Sequence, residues 1–149
     1  MLIQVISHRE PEPLALDAFE RLGSFVLRME EAPDAVELSV AIVDESEMAH
    51  LNEQYRGVSE STDVLSFGCD EPCPADSGEP IALGDVVIAP DVALRQASDL
   101  GTTVEMELNL LLVHGVLHLL GYDHDADEEA AVMQARERAL LEAWVDAGE

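Results

Sequence analysis

The first hydrophobic pattern along the chain is strand-like. Leu2 to Ser7 alternates loosely and is rich in β-branched residues, which predicts a first strand. Pro11 and Pro13 then open a helix on which Leu14, Leu16, Phe19, Leu22, Phe25, Val26 and Met29 recur near the helical period. Glu37 to Val43 predicts a second strand. Asp44, with Glu47 three residues later, predicts a helix start where each side chain satisfies a free backbone amide, and a short helix to about Gln54 follows. Val64 to Phe67 and Leu83 to Ala89 predict the third and fourth strands. Between them, residues 69 to 82 hold three prolines, one glycine and four acids, a loop that needs no domain boundary.

Pro90 to Leu100 predicts a helix, and Thr102 with Glu105 predicts a capping box for another that runs to about Leu120. That helix is apolar nearly all round (Leu108, Leu110, Leu111, Leu112, Val113, Val116, Leu117, Leu119), so it is expected to run through the core. A last helix, about Glu128 to Asp146, is expected to bury Val132, Ala139, Leu140, Ala143 and Trp144 on one stripe. There is no internal repeat. The expected fold is α+β, in the order β-α-β-α-β-β-α-α-α. One domain over residues 1–149 would carry a mixed sheet of about four strands and about five helices, with one central helix buried.

Composition changes this picture little and charge changes it more. A chain of 149 residues buries roughly 70% of its unfolded surface, and an apolar share of 48% is ordinary for a globular core. The longest apolar region, Leu108 to Leu120, is too short to cross a bilayer. The N-terminus MLIQVISHREPEP has no basic start followed by a long apolar stretch, so the expected location is the cytoplasm. Against 32 acids stand seven arginines (Arg9, Arg21, Arg28, Arg56, Arg95, Arg136, Arg138) and no lysine, a formal charge of −25. Such a surface repels nucleic acid and anionic lipid; it suits a basic protein partner, and it equally suits a plain solubility or high-salt adaptation. Cys69 and Cys73 lie in the acidic loop. Two thiols without a leader fit a reducing compartment, and C-x-x-x-C alone is weak metal spacing.

The chemistry is concentrated in HGVLHLLGYDH, residues 114 to 124. His114 and His118 are four apart on a helix, so both imidazoles reach one ion from a single face. Gly121 can adopt the left-handed conformation that ends a helix, letting the chain reverse and bring His124 back as a third ligand. Burying two unpaired histidines on an apolar helix would be costly, which favours one Zn²⁺ or another divalent transition metal over a packing role. His8 and His50 have no such company and read as ordinary histidines. Asp123, Asp125, Cys69 or Cys73 could close the shell and make the metal structural, but none has diagnostic spacing, so three ligands and an open position are expected. The spacing also matches the H-x-x-x-H-x-x-G-x-x-H frame of metzincin proteases. The residue after the first histidine, however, is Gly115 where a protease needs its glutamate base.

The histidine motif, with NEQYRGVSESTDVLSFG (52 to 68) and LGDVVIAP (83 to 90), closely resembles the bacterial YbeY family of rRNA maturation factors. Met133 and Glu137 also fit, and the resemblance runs from about Val40 to Leu141. It implies a zincin-like metal site on the central helix and a metal-dependent, single-strand-specific endoribonuclease. The implied role is ribosomal RNA processing, particularly of the small-subunit 3′ end, and ribosome quality control. The implied partners are single-stranded RNA and the small subunit or a basic ribosomal protein, with no membrane and no DNA. Carried over, His114, His118 and His124 are metal ligands, and Arg56 and His114 are the expected catalytic residues. Asp63 and Asp85 are candidate acceptors for a ligand's second ring nitrogen. Two departures stand out. The family's usual proline before Thr-Asp-Val-Leu-Ser-Phe is Ser61, and the basic residues common near the family's cleft are scarce. Two rival readings remain: a metzincin-like peptidase, and a non-enzymatic ribosome-assembly factor whose zinc staples the last two helices.

Overall fold

The computed structural model describes residues 1–9, 14–57, 62–68, 81–122 and 126–147. It is an α+β fold with one four-stranded mixed sheet and five helices, in the order expected. The elements are β1 (Leu2–Ser7), α1 (Leu16–Met29), β2 (Val36–Ile42), α2 (Glu45–Arg56), β3 (Val64–Gly68), β4 (Ile81–Ile88), α3 (Pro90–Leu100), α4 (Val104–Leu119) and α5 (Asp127–Asp146). The sheet order is β1-β2-β4-β3. The first three strands are parallel and β3 runs antiparallel to β4.

Strand alternation divides the core in two. Val36, Leu38, Val40 and Ile42 of β2, with Val86 and Ile88 of β4, join Phe19, Leu22 and Val26 of α1 and the apolar body of α4 in the main cluster. The intervening residues face the other way. Leu65 and Val87 meet Val43, Met48 and Val92 in a smaller cluster beneath α2 and the start of α3. Because successive side chains on a strand point to opposite faces, α4 lies on one side of β3 and β4 and α2 on the other.

α4 is the buried central helix. Leu108, Leu112, Val113, Val116 and Leu117 are all essentially inaccessible, and the helix packs against α1, α5, β3 and β4. Its cap is one residue later than expected. The Thr102 N–H is spent on Ala97 O at the end of α3, so Thr103 becomes the cap and its Oγ1 accepts from the Met106 N–H at 3.1 Å. The Asp44 cap is as expected, accepting from the Glu47 N–H at 2.8 Å.

The α5 stripe also differs from expectation. Its buried residues are Met133, Glu137, Leu140 and Trp144, while Val132 is 60% exposed and Ala139 is exposed. The true stripe runs through a glutamate, which a hydrophobic pattern counts as polar. Trp144 anchors its far end against Phe25 of α1, ring centroids 5.2 Å apart. Residues 69–80 of the expected acidic loop, with Cys69 and Cys73, lie outside the described residues; Ile81 and Ala82 already belong to β4.

Candidate metal centre

His114 and His118 sit on the C-terminal half of α4, one turn apart on one face, as their spacing requires. His118 is exposed and the His114 side chain is 30% exposed. The helix ends immediately after them in a Schellman motif. The Tyr122 N–H bonds Leu117 O at 3.0 Å, the Gly121 N–H bonds His118 O at 3.1 Å, and Gly121 takes φ 107°. The expected reversal is therefore present as far as Tyr122. His124, Asp123 and Asp125 lie outside the described residues, and among the described residues no three histidine, cysteine or acidic side chains converge.

Tyr122 is pinned where the chain leaves this turn. Its hydroxyl donates to Glu30 Oε2 at 2.9 Å, and the Arg136 Nε–H donates to Glu30 Oε1. This joins the end of α1, the turn and α5 through one carboxylate. Burial, and then the hydrogen bond to Glu30, raise the Tyr122 phenol above its ordinary pKa. The hydrogen bond to Glu30 likewise raises the Arg136 guanidinium, so both stay protonated on that acceptor.

The second nitrogen of His114 has a specific partner. Nδ1 lies 3.2 Å from Glu137 Oε1, and the Glu137 side chain is 9% exposed. The acceptor candidates read from the sequence were Asp63 and Asp85, and the structure gives this role to neither. Asp85 alternates with Val86 and so faces away from α4. Asp63 instead approaches Glu107, a buried residue on α4. Burial raises the Glu107 carboxyl and the Asp63 charge raises it further. No sequence period could find Glu137, because its contact with His114 joins residues 23 apart on two helices.

The residue between the two histidines explains itself on packing grounds. A β-carbon on Gly115 would stand 2.7 Å from Val86 Cγ1 and 3.3 Å from Ser66 Oγ. Gly115 thus faces the sheet in tight contact with β3 and β4, and a glutamate has no room there. The peptidase reading loses its base both in sequence and in space.

Arg56 ends α2 and is exposed. Among the described residues it makes no ion pair, whereas Arg9, Arg21, Arg95 and Arg136 are committed to Asp91, Asp17, Glu45 and Glu30. Arg56 and the histidines lie on helices on opposite sides of the sheet. They are linked through β3, where Phe67 packs against Tyr55 with centroids 4.9 Å apart and Ser66 Oγ donates to Gly115 O. His8 pairs with Glu47 at 2.7 Å and His50 is exposed, in keeping with ordinary roles. Beside His114, a groove of about 690 Å³ opens between α4 and α5, walled by Leu110, Met133, Gln134, Glu137 and Arg138.

The donor set fits a divalent transition metal. Two imidazoles share a face at a helix C-terminus, whose carbonyl dipoles favour a cation, and one carries a carboxylate on its other nitrogen. His114 and His118, with His124 from the following turn, would hold the ion.

The family model described as endoribonuclease YbeY matches residues 7–145. An endoribonuclease YbeY from Legionella pneumophila is 45% identical over 129 residues, covering 87% of this chain and 80% of that protein. One from Moorella thermoacetica is 44% identical over 131 residues, covering 85% and 84%. The solution structure of TM1509 from Thermotoga maritima superposes with a TM-score of 0.64 at 25% identity, covering 98% of this chain and 93% of that one.

Proposed function

The chain belongs to the endoribonuclease YbeY family, and on that premise we propose that it is a metal-dependent endoribonuclease. Its substrate is single-stranded ribosomal RNA in the cytoplasm, its task maturation of the small-subunit 3′ end, and quality control of ribosomes follows from the same cut. The observation that carries the reading is the paired presentation of His114 and His118, with Glu137 on the first of them, beside an open groove.

A divalent ion held by His114, His118 and His124 would supply Lewis acidity toward a phosphoryl oxygen. The chain's own residues do the rest. Glu137 and the close packing at Gly115 hold the His114 ring in place. Arg56, whose role rests on the family resemblance, would reach the RNA strand from the end of α2 and offer paired N–H donors to its phosphate oxygens. The groove of about 690 Å³ beside His114 would receive the unpaired strand. No helix among the described residues is long and apolar enough to cross a membrane. The −25 charge supports recognition through a basic protein partner docking on the acidic surface.

The test pairs metal analysis with product-end identification. Wild-type protein should bind about one zinc and cut single-stranded RNA, and His118→Ala should stay folded and lose both. Normal turnover by metal-free protein overturns the metal reading. A folded, zinc-loaded wild type that never cuts RNA supports the assembly-factor reading instead. A 2′,3′-cyclic product end would identify the RNA 2′-OH as nucleophile and make DNA inert.

A further inference from the structure

We propose that Glu137 is a positioning residue that fixes the tautomer of His114 and aims its Nε2 at the metal. The inference rests on the metal reading above and adds a residue to it.

Three observations converge. First, Glu137 occupies a core position of α5, in the stripe Met133, Glu137, Leu140 and Trp144, where packing alone calls for an apolar residue. A carboxylate there is costly unless a donor satisfies it. Second, the donor is a ring nitrogen of His114, at 3.2 Å from Oε1. With the carboxylate as acceptor in this contact, Nδ1 carries the proton and the lone pair sits on Nε2. A neutral imidazole in water prefers the opposite arrangement, so Glu137 reverses the intrinsic choice. Third, the carboxylate and the ring belong to different helices, each locked by its own packing. Gly115 presses α4 onto Val86, and Trp144 against Phe25 ties α5 to α1. The ring is therefore oriented before any ligand arrives. A carboxylate on the remote nitrogen also makes the coordinating nitrogen more basic, and losing such a partner typically weakens a metal by roughly 10–100-fold.

A plain ion pair between α4 and α5 would produce the same contact, so the test must read the ring itself. Full-length wild type, Glu137→Leu and Glu137→Gln are compared by ¹⁵N NMR of the histidine rings without metal, and by zinc competition against a chelator. Wild type is expected to show the Nδ1–H form of His114. Glu137→Leu keeps an apolar residue in the stripe, and should shift His114 to the Nε2–H form and weaken zinc by roughly 10–100-fold. Glu137→Gln keeps an acceptor oxygen but no charge, and should retain the tautomer with a smaller loss of zinc.

An unchanged tautomer and unchanged zinc affinity in Glu137→Leu overturn the proposal and leave only a helix staple. If Glu137→Leu fails to fold, Glu137→Gln decides, and zinc binding equal to wild type overturns the proposal. A wild type that binds no zinc brings down the metal reading itself, and this role with it. A wild type that binds zinc while both variants bind equally well sinks Glu137 alone.

Discussion

Gly115 of α4 packs directly on Val86 of β4: a β-carbon on the glycine would stand 2.7 Å from Val86 Cγ1. Val86 is fully buried, and its branched side chain has little freedom to turn aside. Gly115→Ala should therefore cost about 1–3 kcal/mol by overpacking. Val86→Ala in the same chain should recover part of that loss, because it removes the clashing methyls. Urea unfolding of the two single variants and the double variant measures the coupling, and simple additivity would refute the contact.

Glu107 predicts a pH dependence. Its carboxyl is raised by burial and then by Asp63. A carboxyl that holds its proton more tightly in the fold than in the unfolded chain makes stability fall as pH rises from the unfolded pKa to the folded one. Glu107→Gln removes that loss. The variant should melt above wild type at neutral pH, and the gap should close below the ordinary glutamate pKa. A gap independent of pH would dismiss the protonation account.

Glu30 joins three elements through one carboxylate. Glu30→Ala leaves a partly buried guanidinium and phenol without their shared acceptor, a loss of about 1–3 kcal/mol. Because Tyr122 stands two residues before His124, zinc affinity should fall as well. Tyr122→Phe removes one neutral donor and should cost about 1 kcal/mol. Thermal melts and zinc titrations read both effects, and equal losses from the two variants would argue against the shared carboxylate.

Arg56 makes no ion pair among the described residues and ends a helix whose body packs without it. Arg56→Ala should keep the melting temperature and the zinc and lose most RNA cleavage. Unchanged turnover would return Arg56 to the surface.

Salt provides the last prediction. Nucleic-acid binders ordinarily weaken steeply as salt releases phosphate counterions. With 32 acids against seven bases, moderate salt should instead leave RNA affinity level or raise it, by screening repulsion beyond about 10 Å. A steep decline in a binding isotherm series would show a local basic track strong enough to overcome the net charge.

Hydrophobic period, prolines and cap residues together placed nine elements in order, and for two of them, β1 and α3, the ends coincide with those observed. That success has a local cause: period, proline and cap residues act within a turn or two of sequence. The pairing of His114 with His118 was legible for the same reason, since i and i+4 face one way on any helix, and Gly121 was legible as the residue that lets α4 end. Where two local signals competed, tertiary context chose. Thr103 caps α4 because Thr102 is held by the end of α3. Other decisions were invisible to any window. The strand order β1-β2-β4-β3, the reason for glycine at 115, and the contact of His114 with Glu137 rather than with either candidate acceptor, Asp63 or Asp85, all depend on residues far apart in the chain. Sequence determined which side chains share a face; only the packing of α4 between the sheet and α5 decided what each face meets.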